Sequence, residues 1–341
     1  MNTMIRIGLS LLALFLASPL HAQEAPARGF DPETILALKG LQLLDQRMNA
    51  IGYRLVDANS PYCRDRTAQT GLLLHAIDQY PDHAIASYAL GFDGAVAVNA
   101  VAPDSPGAAA GLMPGDDILA INGMKVEDIA LDDPAVASEP QDYRRIAAVN
   151  NMLEQALADS DVTLDILRGG EQVQVTVKSR PACPSRFQIT VSADRDASAD
   201  GEIISVSSGM AEYFLSDDEF AAVVAHELAH NLLKHREQLD AQKVDRGFFG
   251  QFGASAGRIK ATEIEADRLS VWLMANAGYD PQAAVRFWTR YGKQHGKGIF
   301  SASTHYRWKK RVELFGEEMA KMAKMQAVDG KYPPPLLVEP R

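Results

Sequence analysis

The feature that most constrains this chain is the stretch from Ser216 to Arg236, which reads SDDEFAAVVAHELAHNLLKHR. Its apolar residues recur at helical rather than strand spacing, and this predicts one long amphipathic helix. Ser216 and Glu219 have the spacing of a capping box, in which each side chain accepts a hydrogen bond from the backbone N–H of the other residue. Asp217 and Asp218 add negative charge at the positive end of the helix dipole. The stretch therefore predicts a capped helix.

The same helix carries the pattern H-E-x-x-H at His226, Glu227 and His230. The two histidines are four positions apart, so their imidazoles project from one helix face, one turn apart. Imidazole suits zinc, and two histidines with one carboxylate leave a fourth tetrahedral position for water. Glu227 points about 100° around the helix, which fits a general base beside that water. Because short motifs also arise by chance, the pattern needs a third ligand.

A second predicted helix supplies that ligand. The segment TEIEADR contains Glu263 and Asp267, four positions apart. Glu263 can complete a zinc triad, and Asp267 can accept a hydrogen bond from a ligand imidazole and fix its orientation. No histidine follows His230 at the H-x-x-G-x-x-H spacing, which argues against the metzincin pattern. These residues predict one Zn²⁺ per chain, bound by His226, His230 and Glu263.

HELAH followed by EIEAD resembles the gluzincin-type zinc metallopeptidases related to HtpX and the CAAX prenyl endopeptidases, peptidase family M48. The likeness spans about residues 187–318, and it implies a mainly helical zincin-type domain with a small edge sheet. Two positions depart from the family pattern: Asp196 replaces the usual Asn, and Tyr306 replaces the usual Pro of the segment SASTHYRWKKR. The resemblance implies that His305 is an extra metal or substrate contact and that Arg311 is a charge stabiliser. The alternative is an ordinary helix start with a surface arginine.

The chain begins with the pattern of a secretory signal peptide over residues 1–22. Arg6 supplies a positive charge, Ile7 to Ala17 is predominantly apolar, and Ala22 is a small residue at a cleavage site. The apolar run is too short to span a bilayer comfortably, and no other stretch approaches the needed length. We therefore expect a periplasmic or secreted protein without a transmembrane span in the mature chain. An uncleaved anchor and a peripheral association with the envelope stay open.

The net charge indicates which classes of partner to expect, and the cysteine content indicates the cellular compartment. The net charge of −10 gives no footprint for nucleic-acid binding. Cys63 and Cys183, the two cysteines of the chain, would both remain after signal removal into an oxidising compartment, where one disulfide is the simplest outcome. That bond would tie the N-terminal segment to the start of the peptidase domain. Two buried free thiols are the alternative.

A second recognisable unit lies between the N-terminal segment and the peptidase domain. Residues 95–126 read AVAVNAVAPDSPGAAAGLMPGDDILAINGMKV, and they resemble a PDZ domain of the bacterial protease-associated type. An amphipathic helix and a hairpin of alternating apolar residues complete the unit. The sequence YALGF stands where the family has its carboxylate-binding loop, so Leu90, Gly91 and Phe92 are predicted to capture the terminal carboxylate of a peptide. A purely structural lid on the protease is the alternative.

Other segments give weaker signals. Asp31 and Pro32 predict the start of an N-terminal helix, with an apolar face made by Leu36, Leu43, Leu44, Met48 and Ile51. His235 is predicted to be solvated or to cap the active-site helix rather than to bind the metal. The glycine- and phenylalanine-rich segment 246–257 fits either a mobile flap or a tight packing segment. The proline-rich tail, residues 326–341, is predicted to be extended or disordered.

The sequence as a whole predicts an α+β multidomain protein with a signal peptide, an N-terminal helical segment, a β-rich PDZ-like domain, a zincin-type peptidase domain and a tail. These units are assigned to residues 1–22, 23–84, 85–180, 181–325 and 326–341.

The expected function is that of an exported zinc metalloendopeptidase with Glu227 as the general base for a zinc-activated water. We expect unfolded or mislocalised envelope proteins as substrates, selected by the PDZ-like domain. The rival interpretation is a periplasmic chaperone or scaffold that binds peptide C-termini through the PDZ-like domain and holds a latent or structural zinc. A metal hydrolase acting on other bonds also satisfies the motif.

Overall fold

The computed structural model describes residues 29–131, 142–244, 253–295 and 307–339. The predicted signal peptide and His305 lie outside these residues. The described chain forms a β-rich PDZ-like region and a mainly helical peptidase-like region, and one long N-terminal helix contacts both. This architecture confirms the predicted α+β class. Over the described residues, no helix has the length and apolar character needed to cross a membrane.

Helix α1, Pro32–Asn59, begins as the sequence predicts, because the Asp31 carboxylate accepts from the backbone N–H of Glu33 and Thr34. The first half of α1 packs on the PDZ-like region, and its second half enters the core of the peptidase-like region. The predicted apolar face was wrong at Leu36 and Leu43, which are 73% and 65% exposed. Two different surfaces cover α1 along its length, so one uninterrupted stripe does not describe its buried face.

The PDZ-like region is built on an antiparallel sheet with the strand order β2-β3-β4-β6-β7, and β5 pairs with β4. Its strands are β2 (Leu72–Ala76), β3 (Val96–Val101), β4 (Asp117–Ile121), β5 (Met124–Lys125), β6 (Val162–Arg168) and β7 (Glu171–Val177). Gly169 and Gly170 link β6 to β7, and both have positive φ, as a tight two-residue hairpin turn requires.

Three helices accompany this sheet: α2 (His83–Leu90), α3 (Pro106–Ala109) and α4 (Arg144–Asp159). One face of α4 supplies Ile146, Val149, Leu153 and Leu157 to a core shared with the sheet. Helix α2 packs instead against the first half of α1. The PDZ-like region thus has its own hydrophobic core and a second contact surface toward α1.

The two ends of the PDZ-like region meet at its base. Strand β1, Thr67–Ala68, pairs with strand β8, Pro181–Ala182, in an antiparallel manner. Next to this pair, Cys63 and Cys183 form a disulfide with a Cα–Cα distance of 5.5 Å. The disulfide links the residues that follow α1 to the start of the peptidase-like region, which is the connection that the sequence suggested.

The peptidase-like region combines a small three-stranded sheet with a cluster of helices. In the sheet, β9 (Arg186–Thr190) runs parallel to the central β11 (Ile203–Ser207), and β10 (Ala197–Ala199) is an antiparallel edge strand. The helices are α5 (Ser208–Ala211), α6 (Asp217–Leu232), α7 (His235–Ala241), α8 (Gly253–Asn276), α9 (Gln282–His295), α10 (Trp308–Met322) and α11 (Pro335–Val338). Helix α6 lies at the centre, in contact with α1, α8 and α9.

The N-terminus of α6 follows only half of the predicted capping box. The Ser216 hydroxyl accepts from the Glu219 N–H at 3.3 Å. The Glu219 carboxylate instead accepts from the backbone N–H of Leu215 and pairs with Arg290 of α9. The predicted single helix from Ser216 to Arg236 also differs, because α6 ends at Leu232 and α7 begins at His235.

The described part of the C-terminal tail packs on the protein. The Tyr332 backbone N–H donates to the Asn276 side chain at 2.7 Å, and Leu337 of α11 is buried in the peptidase-like core. Residues 331–337 are thus packed on the protein rather than disordered, whereas residues 326–330 are exposed. The prolines exclude regular pairing, but the leucines that follow them provide apolar surface to bury.

Candidate metal centre

Helices α6 and α8 bring the predicted ligand set together. His226 and His230 project from α6, and Glu263 projects from the facing side of α8. His226 Nε2 lies 3.3 Å from His230 Nε2 and 3.4 Å from a Glu263 oxygen. The distance from His230 Nε2 to the other Glu263 oxygen is 3.5 Å. These are the described residues that form a group able to hold a metal ion.

The spacing of these atoms fits a zinc ion. Zinc binds histidine nitrogen and carboxylate oxygen at about 2.0–2.2 Å in a tetrahedral arrangement, so two ligand atoms should stand about 3.3–3.6 Å apart. The three observed separations, 3.3, 3.4 and 3.5 Å, satisfy this condition. One carboxylate and two imidazoles leave a coordination position for a further ligand.

His226 is oriented by a buried carboxylate. Its Nδ1 lies 3.0 Å from Asp267 Oδ1, and the Asp267 side chain is fully inaccessible. With Nε2 facing the metal position, the Nδ1–H donates to Asp267, which fixes the tautomer and the plane of the ring. The structure thus places Asp267 where the sequence predicted it, one helical turn from Glu263 on α8.

Arg311 lies beside this carboxylate. Its Nε donates to Asp267 Oδ2 at 2.8 Å, and its Nη2 also reaches Asp267. The guanidinium stacks on the Trp288 ring at 3.5 Å and lies 3.1 Å from His226 Nδ1. The donors of Arg311 are therefore directed at Asp267, and its predicted role as a charge stabiliser in the reaction stays a prediction. Arg311 holds Asp267, which in turn holds His226.

Glu227 has the electrostatic character of a general base. Burial raises the pKa of its carboxyl to about 7, Glu263 and Asp196 act in the same direction, and His226 and Arg311 oppose them. Within the described parts of the chain, no hydrogen-bond donor engages the Glu227 carboxylate. A carboxyl with a pKa near neutrality can both accept and return a proton.

The two ligand histidines differ in their affinity for a proton. Burial and the Arg311 charge lower the pKa of His226, but its contacts with Asp267 and Glu263 outweigh them and raise it to about 9. Burial and the neighbouring His226 hold the pKa of His230 well below its usual value.

His235 occupies a place that the sequence did not predict. Its ring is buried against His230, with the two Nδ1 atoms 3.0 Å apart, and its Nε2 lies 3.2 Å from Glu265. The predicted solvated or capping position is therefore wrong. Trp288 of α9 also contributes by stacking on Arg311, which is a different role from that of a core residue. An aromatic residue on an amphipathic helix gives no sequence signal that separates these roles.

The predicted carboxylate-binding loop of the PDZ-like region is not an open loop. Leu90 ends α2, and its side chain is buried with that of Phe92. Gly91 has positive φ, and its N–H donates to the Ser87 carbonyl at 2.9 Å. The Asp117 carboxylate takes the N–H groups of the next two residues, 93 and 94, at 2.9 and 3.1 Å. The N–H groups of residues 91, 93 and 94 are therefore used within the chain, and peptide capture by Leu90, Gly91 and Phe92 stays a prediction.

Two other predictions fall at the limits of the described chain. His305 lies outside it, and its predicted contact stays a prediction. The segment 246–257 lies mostly outside it, and residues 253–257 form the first turn of α8.

Comparisons with known proteins match two parts of the chain to two families. A model of the PDZ domain matches residues 97–142, and a model of peptidase family M48 matches residues 171–259. The second match contains His226, Glu227 and His230 and ends before Glu263, whose assignment rests on geometry.

Individual relatives match over part of their length. The mitochondrial metalloendopeptidase OMA1 of Schizosaccharomyces pombe is 31% identical over 138 residues, which cover 34% of this chain and 41% of the relative. The protein of the same name from Arabidopsis thaliana is 31% identical over 134 residues, which cover 34% of this chain and 27% of the relative. This chain therefore spans less than half the length of either relative.

These matches confirm the family that the HELAH and EIEAD motifs indicated. The chain combines a PDZ domain with a region of peptidase family M48.

Proposed function

We propose that this protein is a zinc-dependent metalloendopeptidase. The observation that carries the proposal is the convergence of His226, His230 and Glu263 at tetrahedral zinc spacing, with Glu227 on the same helix turn as the ligands. The match to peptidase family M48 and the similarity to proteins named metalloendopeptidase support the same reaction class.

Each residue of the site has its own role in the reaction. Zinc, when bound, would acidify a water molecule and polarise the scissile carbonyl. Glu227 accepts the proton of the attacking water and later returns it to the leaving amine, as its raised pKa allows. Asp267 and Arg311 keep the His226 ring in its ligand orientation, so they support the reaction without contacting the substrate.

The small sheet provides a place for the substrate backbone. Strand β10 is at the edge of the sheet and contacts α6, which carries the ligands. An extended peptide can add to such an edge strand through main-chain hydrogen bonds. This mode of binding favours unfolded segments, because a folded protein rarely offers a free extended strand.

The proposal extends to an exported enzyme that acts on unfolded or mislocalised envelope proteins. The signal-peptide pattern of residues 1–22 and the Cys63–Cys183 disulfide support an oxidising compartment outside the cytoplasm. The PDZ match supports a role of that region in selecting substrates.

The test is cleavage of an unfolded casein by the mature chain and by Glu227→Gln, with bound zinc measured in each sample. Loss of the general base should lower kcat by about 10²- to 10⁴-fold, while zinc remains bound. Glu237→Gln is the matched control, because Glu237 is exposed on α7 and should leave cleavage unchanged. A chelator should abolish cleavage by the wild type.

Wild-type protein that holds zinc and cleaves neither casein nor short peptides would contradict the proposal. It would favour the chaperone or scaffold interpretation. The same assay with C-terminally amidated peptides examines whether free C-termini are selected, since selection requires slower cleavage of the amidated form.

A further inference from the structure

His235 is buried at the edge of the metal centre without belonging to the ligand set. Its side chain is 2% exposed. The ring centroid lies 4.9 Å from that of His230, and the two rings are nearly perpendicular. A buried imidazole needs hydrogen-bond partners for both nitrogens, and His235 finds them in His230 and Glu265.

A break in the helix creates this contact. In a continuous helix, His235 would lie five positions after His230 and about 140° around the axis, facing away from it. Instead α6 ends at Leu232, and Lys234 adopts a left-handed conformation with φ 55° and ψ 40°. This conformation is uncommon for a residue with a side chain, and it turns the chain so that His235 folds back onto His230.

Two side-chain contacts accompany the break, an exposed ion pair and a part-buried hydrogen bond. Lys234 Nζ pairs with Asp65 Oδ2 at 2.8 Å, and the Gln238 side chain donates to the Leu233 carbonyl at 2.6 Å. The cost of a strained backbone at Lys234 persists only where the surroundings determine it. The turn at Lys234 is therefore part of the structure that shapes the site.

The hydrogen-bond directions follow from the ligand geometry. His230 Nε2 faces His226 and Glu263 at 3.3 and 3.5 Å, so this nitrogen is the ligand atom and carries no proton. The proton of His230 is then on Nδ1, which donates to His235 Nδ1. With Nδ1 accepting, His235 carries its proton on Nε2 and donates to Glu265 Oε2 at 3.2 Å. One assignment satisfies all three groups.

We propose that His235 is a positioning residue, which fixes the tautomer and ring plane of the ligand His230 and connects that ligand to the Glu265 carboxylate. The two ligands are thus oriented in different ways: His226 by a carboxylate directly, and His230 by a carboxylate acting through a second imidazole. The inference rests on the metal site of the proposed function, but it concerns metal binding and needs no peptide substrate.

Two variants of similar shape separate the contacts of His235. In His235→Asn, the amide lies near the position of Nδ1 and can still accept from His230. In His235→Gln, the amide lies near the position of Nε2 and keeps the contact with Glu265 while losing the one with His230. Both variants remove one imidazole from the same buried place, so their effects on folding should be alike.

The measurement is zinc affinity of the full mature chain by competition with a chromophoric chelator, together with the visible spectrum of the Co²⁺-loaded protein. We expect His235→Gln to bind zinc about 10- to 100-fold more weakly than the wild type and to show an altered Co²⁺ spectrum. His235→Asn should retain an affinity and a spectrum close to those of the wild type. Urea unfolding of the metal-free proteins should show equal changes in both variants.

Equal zinc affinities in the two variants, whether both unchanged or both reduced, would overturn the inference, and so would a larger loss in His235→Asn. Cleavage of casein is recorded separately. A wild-type protein that does not cleave, combined with weaker zinc binding by His235→Gln alone, refutes the proposed function and keeps the inference. Normal cleavage with equal zinc affinities does the reverse.

Discussion

The two regions of the molecule each contain a carboxylate that is almost completely inaccessible, and they use it differently. Asp267 of the peptidase-like region is 0% exposed and contacts charged or titratable side chains, Arg311 and His226. Asp117 of the PDZ-like region is 1% exposed and accepts from two backbone N–H groups. Both carboxylates have hydrogen-bond partners, but only Asp267 orients a side chain, His226, that itself faces a further site.

This difference separates an open site from a closed loop. Asp267 holds one nitrogen of His226 and leaves the other directed at the metal position. Asp117 takes the N–H groups of residues 93 and 94, and both of its oxygens are used in these bonds. A buried carboxylate therefore indicates a functional site when it binds a side chain that has a second polar atom free to face a ligand. It indicates a structural role in a loop when it binds backbone N–H groups, which have no such second atom.

The largest expected effect is at Asp267. Asp267→Leu leaves the Arg311 guanidinium buried without its partner, and breaking a buried pair in this way costs about 3–5 kcal/mol. We expect a loss of this size in the free energy of unfolding of the metal-free protein, measured with urea. The double variant Asp267→Leu/Arg311→Met should recover most of it. A loss below about 1 kcal/mol would mean that the pair is not a structural charge pair.

A third carboxylate, that of Asp45, lies where the two regions meet. We expect its substitution to have an effect of intermediate size on the free energy of unfolding. Asp45 of α1 accepts from the Ile189 N–H of β9 at 3.1 Å and from the Asn99 side chain of β3 at 2.9 Å. Burial raises the pKa of Asp45 to about 6, although both hydrogen bonds oppose the change. Because this pKa exceeds that of the unfolded chain, the associated stability is complete below pH 4 and is lost as pH rises through 6.

Asp45→Asn loses one of the two acceptors at every pH, but it also removes the burial cost of the charge, so its effect on the free energy of unfolding should be more favourable at pH 7 than near pH 4 by up to about 3 kcal/mol. Urea unfolding of variant and wild type at both pH values measures the difference. His75, whose pKa burial lowers to about 3, acts with the opposite sign in both proteins and cancels in the comparison. An equal effect of the substitution at the two pH values would show that ionised Asp45 carries no burial cost.

The smallest expected effect is at Asp117. Asp117→Asn keeps one acceptor and loses the other, so one backbone N–H is left without its partner, at a cost of about 1–3 kcal/mol. Burial raises the pKa of Asp117, so loss of the charge offsets part of this cost, and we expect about 1 kcal/mol by urea unfolding at pH 7. Zinc affinity should not change. Altered zinc affinity would show that the two regions are coupled.

Local patterns predicted much of the candidate site. The helical spacing of His226 and His230 and the carboxylates of TEIEADR identified the groups that meet at the metal position. The hairpin at Gly169 and Gly170 could also be predicted, because the residues that determine a tight turn are adjacent in the sequence. In each case the physical cause lies within a few residues of its effect.

The remaining features depend on contacts between distant parts of the chain. The helical pattern continues through Lys234, so the break there goes with burial of His235 against His230 rather than with local propensity. Leu36 is exposed and Met48 is buried on the same helix, because different regions cover the two halves of α1. The sequence YALGF has the composition of a binding loop, yet a carboxylate more than twenty positions later, at Asp117, takes the donors that follow it.

The pairing of β1 with β8 has a consequence for how the chain folds. Helix α1 and strand β9 pack together in the peptidase core, although the whole PDZ-like region separates them in sequence; the nearby cysteines are 120 residues apart. The entropic cost of closing a loop grows with its length. Once the PDZ-like region has formed its own core, its ends lie side by side and the loop to be closed is short. Folding of that region therefore lowers the entropic cost of assembling the metal centre.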